Sequence, residues 1–140
     1  SYNDNLELKL KLIEKVEILK ESNNWKETTN EIQSIQKEWK KVGKVPIKMK
    51  DKIYKKFKTS CDYFFERKRL EDKDLINEYN SNYNLKSDIC NKIFELSKSD
   101  ELSSQLLLKL QNQYNKIGPV AKDKLKDIND MFDKSIKSID

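Results

Sequence analysis

Apolar residues recur along this chain in steps of three and four. Leu8, Leu12, Val16 and Leu19 form one series, and Trp25, Thr28, Ile32, Ile35, Trp39 and Val42 a second. Met49, Ile53, Phe57, Cys61 and Phe64 form a third, while Leu102, Leu106, Leu110, Tyr114 and Ile117 repeat the second pattern further on. At 3.6 residues per turn such spacing returns to one helix face and leaves the others polar, so it predicts amphipathic helices and not strands. The expected helices span 5–21, 24–42, 47–80, 82–97, 100–117 and 121–139. No Gly or Pro falls between residues 47 and 117. The third helix can therefore run far, even into the one that follows, and the Asn-rich stretch 77–84 is the one candidate for a break.

Sliding the chain over itself uncovers a repeat. An offset of 75 residues (118 − 43) lays Tyr114 on Trp39, Ile117 on Val42, Gly118 on Gly43 and Gln111 on Gln36. It also lays Leu107 on Ile32, Leu110 on Ile35, Ile128 on Ile53 and Phe132 on Phe57. Upstream the offset becomes 77 (96 − 19), pairing Leu12 with Ile89, Val16 with Ile93, Leu19 with Leu96 and Tyr2 with Tyr79. A period of this length marks a helical array in which each unit is one supersecondary block. The expected organisation is a three-helix unit over 1–77 and a second, degenerate one over 78–140, cut from a longer array and sharing a long central helix if the Asn-rich stretch does not interrupt it. Between the second and third helices, Gly43 is expected as a left-handed C′ residue and Pro46 as an opening residue without an amide hydrogen. Gly118 repeats the first role, with Pro119 and Ala121 replacing the second. One glycine does not make the several-amide nest of a phosphate loop, so the corner is read as architecture.

Composition points the same way. Charged residues make up 38% of the chain while Gly and Pro number two each, which leaves little material for the tight turns of an all-β fold. The fold class is all-α. No apolar run approaches the ~20 residues that span a bilayer, and no signal-peptide pattern opens the chain, so a soluble cytoplasmic protein is expected. Cys61 and Cys90 lie apart and on apolar series, where a free thiol acts as a small hydrophobe in a reducing compartment. Histidine is absent. With it go the commonest general base and the commonest metal ligand, so no catalytic residue, cofactor or metal is expected and the chain is read as non-enzymatic. Acidic pairs such as Glu14 with Glu17, or Asp127 with Asp130, sit on polar helix faces and are read as partners of lysine.

The run Trp39–Lys40–Lys41–Val42–Gly43–Lys44–Val45–Pro46, followed by Phe57 and by Cys61–Asp62–Tyr63–Phe64–Phe65–Glu66–Arg67, resembles a bacterial helical repeat family catalogued as domain of unknown function 349. The resemblance covers residues 8–69 well. It covers 85–139 as a second copy without the tryptophan, the first proline or the Cys-Asp-x-Phe-Phe run. It implies an α-helical repeat, and it brings no activity or site residue with it.

Charge supplies the functional candidates. From Lys37 to Arg69 there are 13 basic and 4 acidic residues, a balance of +9 in a chain whose total is +5. Lys48, Lys52, Lys55 and Lys58 lie opposite the Ile53–Phe57 series on a helical wheel, with Lys40, Lys41 and Lys44 at the adjoining corner and Arg67 and Arg69 beyond. A ridge of this kind is what contact with a phosphate backbone requires. Tyr54, Tyr63 and Phe65 fall off the apolar series and are the candidates for partner contact. The first expectation is a protein-binding or scaffold module; the alternative is a nucleic-acid-binding module using Lys40 to Arg69. No membrane and no small-molecule substrate is expected.

Overall fold

A computed structural model describes residues 1–99 and 103–139, and among these all regular structure is helical. Helix α1 spans Tyr2–Leu19, α2 Trp25–Lys41 and α3 Ile47–Ser97; α4 spans Ser104–Lys116 and α5 Leu125–Lys137, the last preceded by a 3-10 turn at Lys122–Lys124. The all-α reading holds. Leu102, assigned above to an apolar series, lies outside the described residues.

The candidate break at 77–84 is not used, and the third and fourth expected helices run together: α3 is one helix of 51 residues. Asparagine is a poor helix former, yet it still donates and accepts every backbone hydrogen bond of the ladder. Gly or Pro is what stops a helix, and this stretch has neither. One of its asparagines is also employed, since Asn82 Nδ2 donates to the carbonyl of Pro119 at 2.8 Å.

The chain divides into two compact units, Ser1–Glu71 and Asp72–Asp140. In the first, α1, α2 and the N-terminal part of α3 enclose a core of Leu12, Ile13, Val16, Ile32, Ile35, Trp39, Ile53, Phe57, Cys61 and Phe64, closed at the loop by Val45. Trp39 stacks on Phe57 with ring centroids 4.0 Å apart, and the ammonium of Lys9 sits 4.6 Å above the indole. The second unit has its own core of Ile89, Cys90, Ile93, Leu96, Leu110, Tyr114, Val120 and Ile128. There Tyr114 stacks on Phe132, again at 4.0 Å, beneath Lys86. Two apolar residues of the predicted series stay outside: Leu8 and Leu106 are exposed, while their neighbours Leu6 and Leu107 pack on the cores. The buried face of α1 is centred between Leu12 and Ile13, which moves Leu8 to its margin.

The glycine expectation needs correction. Neither Gly43 nor Gly118 has a positive φ, and α2 and α4 end in extended residues, Val42 (φ −71°, ψ 133°) and Ile117 (φ −70°, ψ 138°). What excludes a side chain at Gly43 is Asn5, whose Nδ2 lies 2.9 Å from where a Cβ would stand. The same amide donates to the carbonyl of Lys44 at 2.8 Å. Asn82 occupies the matching place, 3.0 Å from the Cβ position of Gly118. Each glycine thus clears room for an asparagine, which ties the loop after α2 to α1 and the loop after α4 to α3.

Candidate nucleic-acid interface

The lysines assigned to the ridge all lie in the first unit. Lys40 and Lys41 end α2, Lys44 lies in the loop, and Lys48, Lys52, Lys55 and Lys58 follow on the first three turns of α3, all exposed. At ~100° per residue, Lys48, Lys52 and Lys55 fall within about 60° of one another, opposite Phe57, with Lys58 at their margin. The ridge is not uniformly free. Lys58 bonds Asp62 at 2.8 Å, and this hydrogen bond and charge raise its pKa. Arg69 grips Glu66 at 2.7 Å, raising its own pKa and lowering that of the carboxylate, and Lys56 reaches Glu17 at 3.7 Å. Among the described residues, Lys40, Lys41, Lys44, Lys48, Lys52 and Lys55 have no acidic partner within ion-pair reach.

Arg67 belongs to the fold and not to the ridge. Its guanidinium donates to the carbonyls of Lys20 at 2.7 Å and Ser22 at 3.1 Å and to Asn23 Oδ1 at 2.6 Å, while lying 4.9 Å from the Trp25 ring. A planar fork of five donors can hold three acceptors at the α1–α2 corner at once.

The aromatic candidates also divide. Phe65 is half-buried and meets Phe64 edge-on at 5.4 Å, so it packs on the core instead of offering a contact. Tyr63 is exposed, but its hydroxyl donates to Glu21 at 3.2 Å, which raises its pKa, and Lys20 lies over its ring at 5.1 Å. Tyr54 is exposed and borders a shallow recess with Trp39, Phe57 and Lys58. One of the three aromatic candidates is thus left open.

The repeat supplies an internal control. At an offset of 75, Lys48, Lys52, Lys55 and Lys58 of the first unit stand where the second has Asp123, Asp127, Asp130 and Asp133, all likewise exposed. Residues 1–71 carry 18 basic and 12 acidic side chains, a balance of +6, whereas residues 72–140 carry 11 and 12, a balance of −1. This reversal was legible in the sequence, but only by inspecting the aligned positions that differ, not the ones that match.

Two further lysines matter that charge counting did not single out. Lys9, on α1, and Lys50, on the first turn of α3, line a cavity of about 710 Å³ at the α2–α3 corner together with Lys44. Tyr2, Val42 and Ile47 supply its apolar wall. Burial, and then the charge of Lys50, lower the pKa of Lys9. Their convergence is a tertiary event: Lys9 is far in sequence from the other two.

Each cysteine is part of its unit's core. Both are free and buried, and burial pushes the Cys61 thiol up to about 11 against a weaker opposing bond from Gln36. Burial raises Cys90 too. No group of three or more Cys, Asp or Glu among the described residues is placed to hold a metal ion, and no described helix is long and apolar enough to cross a membrane.

These features define an all-α protein whose two units share packing motifs and differ in surface charge. The chain belongs to the family described as Domain of Unknown Function (DUF349), which matches residues 1–48 and 52–123. No curated protein and no solved structure matches it.

Proposed function

We propose that the first unit is a non-catalytic nucleic-acid-binding module, with the phosphate backbone lying along Lys40, Lys41, Lys44, Lys48, Lys52 and Lys55. The observation that carries this reading is the sign reversal between units. A helix face needs charge to stay solvated, but either sign serves, and the second unit keeps the same stacked-ring packing with aspartates at the four positions. Folding therefore does not select lysine there, and a polyanionic ligand does.

Nucleic acid is favoured over an acidic protein on two grounds. Lysine is depleted in protein interfaces, whose affinity comes from buried aromatic and arginine anchors. Here Phe65 and Arg67 are consumed internally and Tyr63 is tied to Glu21, which leaves Tyr54 as the open one of the three aromatic candidates. A regular series of exposed ammonium groups is instead what backbone contact and counterion release use. In a cytoplasmic setting the two buried free thiols would stay reduced, in keeping with this reading.

The test is to replace Lys48, Lys52, Lys55 and Lys58 by aspartate, as the second unit does, and to follow binding of single-stranded RNA and duplex DNA against salt. The expected result is a salt-sensitive complex for the native chain, lost in the variant while its helical circular dichroism is unchanged; each phosphate contact contributes roughly 0.7–0.9 to the logarithmic salt slope. Salt-insensitive binding, or equal binding by the variant, would overturn the proposal. Capture of a protein through Tyr54 with no nucleic-acid affinity would replace it by the scaffold reading.

A further inference from the structure

The corner where α2 hands over to α3 breaks a local rule. A helix N-terminus carries about half a positive charge, and acidic residues are favoured in its first turn. Helix α3 has none there, and has Lys48 and Lys50 instead. Lys44 precedes it, Lys9 approaches from α1, and the cavity lined by Lys9, Lys44 and Lys50 has no acidic side chain in its wall. Like charges gathered at the positive end of a helix cost stability, and a local conflict without a folding gain is where function is expected.

The second unit shows the conflict is avoidable. At the matching positions Lys44 becomes Pro119, Lys48 becomes Asp123 and Lys50 becomes Leu125, so that Asp123 and Asp127 occupy the helix opening. Only Lys9 has a basic counterpart, Lys86, and both stack over the core aromatic ring, 4.6 Å from Trp39 and 4.9 Å from Tyr114. Lys9 is thus retained by packing. Lys44 and Lys50 are peculiar to the first unit and have no such role.

Resting on the reading above, we infer that this cavity seats a terminal phosphate of the bound strand, with its nucleotide against Tyr2, Val42 and Ile47. Three ammonium groups match a phosphomonoester, which carries about −1.5 to −2 at neutral pH, better than the single charge of an internal phosphodiester. At about 710 Å³ the cavity also falls within the size range of small-ligand sites. The shared chemistry is a phosphomonoester on a planar body, whose source is either a strand end or a free mononucleotide.

The test uses one RNA sequence in three forms, 5′-phosphorylated, 3′-phosphorylated and without terminal phosphate, and reads the ratio of affinities. Native protein should prefer one phosphorylated form by about tenfold, the scale of one charge-assisted contact. Lys44→Gln with Lys50→Leu should bring that ratio to one while leaving the other five ridge lysines and the Asn5 tie to the residue 44 carbonyl in place, so that any loss of ridge binding falls equally on all three RNAs. A ratio of one in the native chain, or one unchanged in the variant, overturns the inference even where RNA binds. If no RNA binds, the ridge proposal fails separately, and adenosine monophosphate is titrated while the amide signals of Gly43, Val45, Ile47 and Lys50 are followed. Shifts confined there and abolished by the double substitution support a free-nucleotide source; their absence overturns the site.

Discussion

Gly43→Ala is expected to change sign according to what occupies residue 5. The new Cβ would stand 2.9 Å from Asn5 Nδ2 and 3.7 Å from its Cγ, so the asparagine must swing away and lose its 2.8 Å bond to the Lys44 carbonyl. An exposed hydrogen bond of this kind contributes about 0.5–1.5 kcal/mol net. Against this, alanine narrows the unfolded ensemble and stabilises by about 0.4–1 kcal/mol where the native backbone suits it, as it does here without a positive φ. The two nearly cancel, leaving about 0–1 kcal/mol of destabilisation. With Asn5→Ala already in place the clash and the bond are both gone, and the same Gly43→Ala should stabilise by about 0.4–1 kcal/mol. The coupling is therefore about 1 kcal/mol. Urea unfolding followed by tryptophan fluorescence suits the measurement, since both tryptophans, Trp25 and Trp39, report on the first unit. An equal effect of Gly43→Ala in both backgrounds would refute the reasoning and return the glycine to a conformational role.

Trp39→Ala should destabilise the first unit by about 3–5 kcal/mol, because it empties the buried stack on Phe57 and removes the ring beneath Lys9; unchanged urea unfolding would contradict its place in the core. Cys61, held as a protonated thiol by a pKa of about 11, should react with a disulfide reagent at pH 8 far more slowly in the folded chain than in urea, and equal rates in both would show the thiol to be accessible.

The helices were legible because burial leaves a period, and most residues of the predicted series are buried or half-buried, Leu8 and Leu106 excepted. Trp39 and Tyr114 could be paired before any coordinates because both sit one turn before a glycine at a fixed offset. What the pattern did not carry was the reason for that glycine. Backbone rules favour a left-handed cap, and only the tertiary approach of Asn5 and Asn82 explains why a side chain is excluded. Arg67 and Phe65 looked available for the same reason: position on a wheel says which way a residue leaves its own helix, not what the next element brings toward it. The candidate cavity was hidden because Lys9 counted as an ordinary surface lysine until α1 folded over the corner. The lysine-to-aspartate reversal, by contrast, required no structure.

Helix α3 is packed toward each of its ends and bare in between: every residue from Arg69 to Glu78 is exposed, including Leu70, Leu75 and Ile76. Ten residues in isolation are too few to hold a helix in water, where about 12–15 are needed even for good formers. The central turns persist because nucleation has already been met on both flanks, so they only have to propagate. Ordinary helices fray from their tips, whereas in this one the tips are anchored and the weakest hydrogen bonds lie in the middle. Amide protons there should be the first of the helix to trade with solvent, and the backbone around Lys73 the first to fit a protease, while the turns carrying Phe57 and Ile93 remain closed.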